Sequence, residues 1–150
     1  MPQLKSSDTT PKELKPYVFH GVNLNWSEGS EEATGDCPFC GREGKFSVNI
    51  ERGVHRCFVC DATGNQYNFI RKLLDESFER TTIDDYKELA VDRGLLLTET
   101  LFSWNVARSL ITNEWLVPGY GAKRNMNQLY KYVYTGGKKR LLPTPTLGHQ

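Results

Sequence analysis

Hydrophobic and polar residues alternate with the period of a β-strand in the first third of the chain. Phe46, Val48 and Ile50 are separated by polar residues, which predicts a strand with one buried face. Residues 51–53 fit a turn that ends in glycine, and residues 54–58 predict the returning strand. This part of the chain is therefore predicted to be a β-ribbon.

A helical period follows the ribbon. Apolar residues spaced three and four apart predict a first helix, at Phe69, Ile70, Leu73, Leu74 and Phe78. Residues 81–85 are typical of the capped start of a second helix, and Gly94 is a suitable stop for it. A third helix is predicted from about residue 98 to residue 110.

Strand patterns return near the C-terminus. Residues 115–118 predict a short strand, and residues 129–135 alternate tyrosines with other side chains. Gly136-Gly137 predicts a hairpin turn into residues 138–142. Because no element closes this last segment, we expect the parent protein to be larger.

Four cysteines lie in two Cys-x2-Cys pairs, Cys37 with Cys40 and Cys57 with Cys60. Two intervening residues turn the backbone so that both sulfurs face one point, and a hairpin brings two such knuckles together around one zinc ion. The alternatives are two disulfides, which a reducing compartment disfavours, and a redox pair, which would not need a second motif. Four protein ligands close the coordination sphere, so the zinc is expected to be structural and the ribbon to unfold without it.

The predicted fold class is α+β, with an N-terminal four-cysteine zinc ribbon, a helical linker and a C-terminal basic β segment. We predict a flexible arm at 1–16, a zinc-ribbon domain with its following helix at 17–80, a helical linker at 81–112, and the start of a β-rich core domain at 113–150. Within the second of these, residues 17–24 are interpreted as a short strand or turn and residues 25–36 as a loop.

Charge is distributed unevenly along the chain, although the net charge is +1. Residues 115–150 contain six basic residues and no Asp or Glu, whereas residues 1–114 contain thirteen basic and eighteen acidic residues. Such asymmetry fits nucleic-acid binding or a solvated basic surface, and charge alone leaves both open. The chain has no apolar run long enough to cross a bilayer and no signal peptide, so we expect no membrane partner and a cytoplasmic location.

Basic side chains and a histidine surround the predicted hairpin. Basic residues interleaved with aromatic ones fit single-strand binding by phosphate contact and base stacking. The predicted nucleic-acid-binding residues are Arg42, Lys45, Arg52, His55 and Arg56 of the ribbon, and Lys138, Lys139 and Arg140 of the basic tail. His55 is expected to be exposed, as a base contact or as a plain surface histidine. Stacking and packing both remain open for four further aromatic residues, Phe58, Tyr130, Tyr132 and Tyr134.

Sequence motifs of catalysis are missing. The chain contains no Gly-rich phosphate loop, no GxSxG and no HExxH, and its acidic residues are not arranged as a magnesium site. We therefore expect no catalysis by this chain alone.

The ribbon motifs resemble the zinc-binding domain of DnaG-type primases. They are Cys37-Pro-Phe-Cys40, Phe46-Ser-Val, Cys57-Phe-Val-Cys60, Gly64 and Phe69-Ile70. The resemblance is closest to the phage primase and primase-helicase branch, in which all four ligands can be cysteine; the bacterial branch usually has histidine at the position of Cys40. It extends over residues 17–142, since Leu89-Ala90 and Gly94-Leu95 fit the family's helix pair and residues 115–118 its RNA polymerase domain.

This resemblance implies RNA primer synthesis in DNA replication, with the ribbon reading the single-stranded DNA template. Catalysis in the family lies in a later toprim fold, so the chain is expected to be a non-catalytic part of a DNA primase. Implied partners are the template, the primase catalytic core and a replicative helicase, in a bacterium or a phage-infected cell. The alternative is a zinc-ribbon module of protein interaction or transcription type that does not read template.

Overall fold

Helices and two separate antiparallel sheets make up the fold, which confirms the α+β class. The computed structural model describes residues 10–93, 105–120, 126–135, 138–145 and 147. The described residues form two compact units: unit 1 holds 10–69, 144, 145 and 147, and unit 2 holds the described residues between 70 and 143. None of the described helices is long and apolar enough to cross a membrane.

The described helices begin with a 3₁₀ turn at Lys12–Leu14, followed by α1 (Lys15–Phe19), α2 (Gln66–Arg80) and α3 (Ile83–Arg93). The strands are β1 (Leu24–Asn25), β2 (Glu32–Gly35), β3 (Phe46–Asn49), β4 (His55–Cys57), β5 (Thr63–Gly64), β6 (Ala107–Arg108), β7 (Trp115–Tyr120), β8 (Met126–Thr135) and β9 (Lys138–Pro143).

Unit 1 is built on a five-stranded sheet with the order β1-β2-β3-β4-β5. Alternate residues point to opposite sides of the sheet, so Phe46 and Val48 of β3 are fully buried while Ser47 between them points to the solvent side. Strand β4 repeats the pattern, because His55 and Cys57 are buried and Arg56 is exposed. The sheet therefore has one face in the core and one face in solvent.

Residues 12–19 are helical, which differs from the arm predicted at 1–16 and from the start of the short strand or turn predicted at 17–24. The helical segment is retained by burial, since Leu14 and Tyr17 have no exposed surface. A second difference is β2, which lies in the predicted loop at 25–36. Its four residues pair with the whole of β3, so a partner distant in sequence imposes the strand.

Unit 2 contains a four-stranded sheet with the order β6-β7-β8-β9. One face of helix α3 packs on it, where Tyr86 and Leu89 form a buried cluster with Val106 and Trp115. Tyr132 packs against the same cluster, which favours the packing interpretation for this tyrosine. The capped start of α3 is confirmed, because the Asp85 amide donates to the Thr82 hydroxyl at 3.2 Å.

The predicted third helix is wrong where it can be compared. Residues 107–108 form β6, which pairs with the start of β7. The remainder of that prediction, at 98–104, lies outside the described residues, as do the helix stop at Gly94 and the hairpin turn at Gly136-Gly137. The sequence shows no local signal for β6, because its pairing is set by a neighbouring strand.

Candidate metal centre and nucleic-acid interface

Two backbone knuckles position the four cysteines. In the first knuckle, the amides of Phe39 and Cys40 donate to the Cys37 sulfur, each at 3.4 Å. In the second, the amides of Val59 and Cys60 donate to the Cys57 sulfur at 3.3 and 3.4 Å. Each knuckle thus surrounds its first sulfur with N–H groups, which suits a thiolate rather than a thiol.

The four sulfurs fit one tetrahedral metal ion. All four sulfurs lie within 4.8 Å of one another, with 3.8 Å between Cys37 and Cys60 and 3.6 Å between Cys40 and Cys57. Zinc–sulfur bonds of ~2.3 Å in a tetrahedron place sulfurs about 3.8 Å apart, whereas a disulfide requires about 2.0 Å. The cysteines are therefore positioned to bind one zinc ion, and the prediction of this cofactor is confirmed.

The thiols differ in their affinity for protons when no metal is bound. Burial raises the pKa of Cys37 to about 12, although the amides of its knuckle oppose the effect. At Cys57 burial acts in the same direction, but the amides of its own knuckle and the neighbouring thiols outweigh burial and lower the pKa to about 6. Zinc coordinates thiolates, so metal binding at neutral pH would release protons from the remaining thiols.

The four cysteines leave no ligand position for water, so the ion would join β3, β4 and the two knuckles rather than carry out chemistry. Cys37 and Cys57 are buried, whereas Cys40 and Cys60 are exposed. The ion would therefore lie at the surface end of the ribbon.

A buried hydrogen-bond network lies behind the sheet in unit 1. The Tyr17 hydroxyl is 2.6 Å from the Gly53 carbonyl oxygen and 3.0 Å from His55 Nδ1. A carbonyl oxygen only accepts, so the hydroxyl donates to Gly53 and His55 Nδ1 must carry the proton that it donates to Tyr17. The network ties helix α1 to strand β4 and to the turn between β3 and β4.

The prediction that His55 is exposed is wrong. Its side chain is 1% exposed and its ring stacks on Phe46 with 5.6 Å between centroids. The cause is strand parity: His55 and Cys57 are two residues apart in β4, so both side chains point into the core. A buried ring offers no surface to a nucleic acid, and we withdraw His55 from that set.

The other basic candidates of the ribbon are exposed but do not form one cluster. Arg56 lies in β4 directly opposite Ser47 of β3, and Lys45 immediately precedes β3. Arg42 follows the first knuckle, and Arg52 lies in the turn at the far end of the hairpin. Arg140 is exposed in β9 of unit 2, where the side chains of its two neighbouring lysines, Lys138 and Lys139, lie outside the described residues. The contacts of all these residues with nucleic acid stay predictions.

Phe58, one of the four aromatic residues that the sequence left undecided, is exposed. It is 62% exposed, and the Arg56 guanidinium lies 5.1 Å from its ring centroid. The Phe58 amide also donates to the Lys45 carbonyl oxygen at 2.9 Å, which places Lys45 next to it. The signal was available in the sequence, because Phe58 follows the inward-pointing Cys57. We use the name outer face for Lys45, Ser47, Arg56 and Phe58.

A family model and a solved structure match this chain. The family model described as the CHC2 zinc finger, a zinc ribbon of DnaG type, matches residues 12–97, more than half of the chain. No curated protein matches. A solved structure of the Aquifex aeolicus primase, comprising its zinc-binding and RNA polymerase domains, matches at 11% identity with a TM-score of 0.30. The match covers 92% of this chain and 53% of that one, so this chain spans about half the length of that structure.

Proposed function

The chain belongs to the CHC2 zinc-finger family of DnaG-type primases, and from that membership we propose that it binds the single-stranded DNA template of a primase through the outer face of its ribbon. In this proposal the zinc holds the ribbon together, and primer synthesis needs the catalytic core of the primase. Among the described residues, the four cysteines form the single cluster of three or more metal-ligand side chains, and a closed zinc site performs no phosphoryl transfer.

One observation carries the proposal: an exposed aromatic ring lies beside two cations on a solvent-facing sheet. The Phe58 ring is 62% exposed and is covered on one side by the Arg56 guanidinium. A base can stack on the aromatic–guanidinium pair while Lys45 and Arg56 meet phosphates, the combination that binds single strands without requiring a duplex groove. Ser47 adds a hydroxyl opposite Arg56.

Charge limits how many phosphates this face can contact. Residues 10–69 contain six basic and eight acidic residues, and a zinc ion with four thiolates adds about two negative charges. Binding must therefore come from local contacts rather than from a general positive field. With two to four phosphates neutralised, we expect log K to fall with log salt with a slope of about −1.4 to −2.8.

Fluorescence anisotropy of the zinc-loaded chain with short single-stranded DNA tests the proposal. We expect Arg56→Gln and Phe58→Ala each to weaken binding by about tenfold, since stacking on an aromatic side chain is worth ~1–3 kcal/mol per base. Lys87→Gln is the matched control, because it removes one exposed positive charge from helix α3. An unchanged affinity in both outer-face variants would refute the proposal.

The alternative, a ribbon for protein interaction or transcription without template reading, makes the opposite prediction. The zinc-loaded chain would then show no change in anisotropy even at low salt, where phosphate contacts are strongest. Equal binding of all sequences would support backbone contact and stacking without base reading.

A further inference from the structure

A carboxylate lies on the sheet beside the outer face. Glu32 is exposed at the start of β2, directly opposite Asn49 of β3. One carboxylate oxygen accepts from the Ser47 hydroxyl at 2.5 Å, and the other accepts from the Asn49 side-chain amide at 3.1 Å. The carboxylate therefore lies along β3 in a fixed position rather than extending into solvent.

No described lysine or arginine forms an ion pair with Glu32. Arg56 lies on the next strand, but its guanidinium covers the Phe58 ring. The Glu32 carboxylate thus accepts hydrogen bonds from two neutral donors, and no paired cation offsets its negative charge. Such a charge repels phosphate, so a favourable contact between Glu32 and the nucleic acid requires a hydrogen-bond donor on a base or sugar.

We propose that Glu32, positioned by Ser47 and Asn49, accepts a hydrogen bond from the exocyclic amino group of a template base. The inference rests on the proposed function, since it assigns a base-reading role within the same surface. Cytosine, adenine and guanine each carry an exocyclic amino group, whereas thymine and uracil carry none and present a carbonyl oxygen where cytosine has its amino group, which a carboxylate repels. The surface is therefore expected to prefer amino-bearing bases.

Neighbouring groups on this side of the sheet would contact different nucleotides of the template. Ser47 is directly opposite Arg56 of β4, and its hydroxyl donates to the carboxylate of Glu32, which lies two residues before Thr34, the β2 residue opposite Ser47. Adjacent strands are ~4.8 Å apart. One nucleotide stacked near Phe58 would place the base of a neighbouring nucleotide within reach of Glu32. Positioning by two hydrogen bonds reduces the entropy lost when the carboxylate meets the base.

The test compares oligomers of deoxycytidine and deoxyuridine of equal length, by anisotropy with the zinc-loaded chain. The two bases are alike in size and differ at the amino or carbonyl group, so the affinity ratio isolates that contact. We expect the unaltered chain to bind deoxycytidine about tenfold more tightly. Glu32→Gln should remove most of this preference, because an amide can donate to uracil as well as accept from cytosine.

Glu31→Gln is the matched control, since it removes an exposed negative charge from the adjacent position. It should leave the affinity ratio unchanged, whereas Ser47→Ala should reduce the ratio by releasing the carboxylate. Zinc content and circular dichroism equal to those of the unaltered chain show that a variant is folded. A ratio near one in the unaltered chain, or a preference that Glu32→Gln retains, overturns the role of Glu32 but not template binding. No binding to either oligomer overturns the proposed function and this inference with it.

Discussion

The buried Tyr17 hydroxyl offers a sharp test of how unit 1 is held together. Tyr17→Phe removes one oxygen and keeps the ring, which packs 4.6 Å from the Phe69 centroid. The Gly53 carbonyl oxygen and His55 Nδ1 both lose this partner inside the core. Each buried polar group deprived of a partner costs about 1–3 kcal/mol, so with two such groups we expect the free energy of unfolding to fall by about 2–6 kcal/mol. That is a large fraction of the stability of a small domain.

Urea unfolding of the zinc-loaded chain, followed by release of zinc to a chromogenic chelator, measures this loss in unit 1. Tyr130→Phe is the control, because the Tyr130 hydroxyl has no hydrogen bond among the described residues and lies in the other unit. Tyr17→Phe should lower the urea midpoint of zinc release clearly, whereas Tyr130→Phe should change the free energy of unfolding by less than about 0.5 kcal/mol. Equal shifts in the two variants would refute the network.

The same residue predicts how stability depends on pH. Burial, together with the charge of Glu13, raises the pKa of Tyr17 above its ordinary value of about 10. The folded state keeps the phenol neutral, so its contribution is complete below about pH 10 and is lost as the pH rises further, where the unfolded phenol ionises. Tyr17→Phe should remove this alkaline loss, and a persistent loss in that variant would assign it to another group.

Three further predictions concern the zinc site, a turn and a helix start. Cys57→Ser should abolish stoichiometric zinc binding measured by elemental analysis, and an unchanged zinc content with unchanged circular dichroism would contradict the metal assignment. Gly53→Ala should lower the free energy of unfolding of unit 1 in urea by more than about 1 kcal/mol, because the φ of 72° is strained for alanine and the new methyl meets the Gln66 side chain. Gly44→Ala is the control, since it has a similar φ and open space around the added methyl, and equal losses in the two variants would disprove the steric part. The pKa of Asp85 is held below its ordinary value by hydrogen bonds from the Thr82 amide and then from Arg108. The carboxylate therefore stabilises the fold above about pH 4, and this contribution is lost as the pH falls through the folded pKa. Asp85→Asn should lower the free energy of unfolding at pH 7 by ~1–2 kcal/mol and flatten its dependence on acid pH, and an unaltered dependence would contradict this.

The zinc site was predictable because its information is local. The spacing of Cys37, Cys40, Cys57 and Cys60 fixes two knuckles, and the alternation around Phe46 fixes the strand between them. Parity then determines which side chains point inward. Applied from Cys57, the same rule would have placed His55 in the core and Phe58 in solvent.

Elements that depend on distant partners were not predictable from local patterns. The segment around Tyr17 contains Pro11 and Pro16 and is too short to show a helical period, and its helix is retained by contacts such as the Tyr17–His55 hydrogen bond, 38 positions apart in the chain. Strand β2 is polar because half of it faces solvent, and pairing with β3 defines it. The position of Glu32 over β3 follows from that register, so no sequence motif reveals it.

Contact between single-stranded DNA and the outer face of the zinc-bound ribbon can be mapped residue by residue. The measurement is nuclear magnetic resonance of the ¹⁵N-labelled, zinc-loaded chain titrated with single-stranded DNA. We expect amide shift changes concentrated at Lys45, Ser47, Arg56 and Phe58, with Val48 on the buried side of the same sheet little affected. Shifts confined to strand β9 of unit 2, or no shifts at saturating DNA, would refute binding by the outer face.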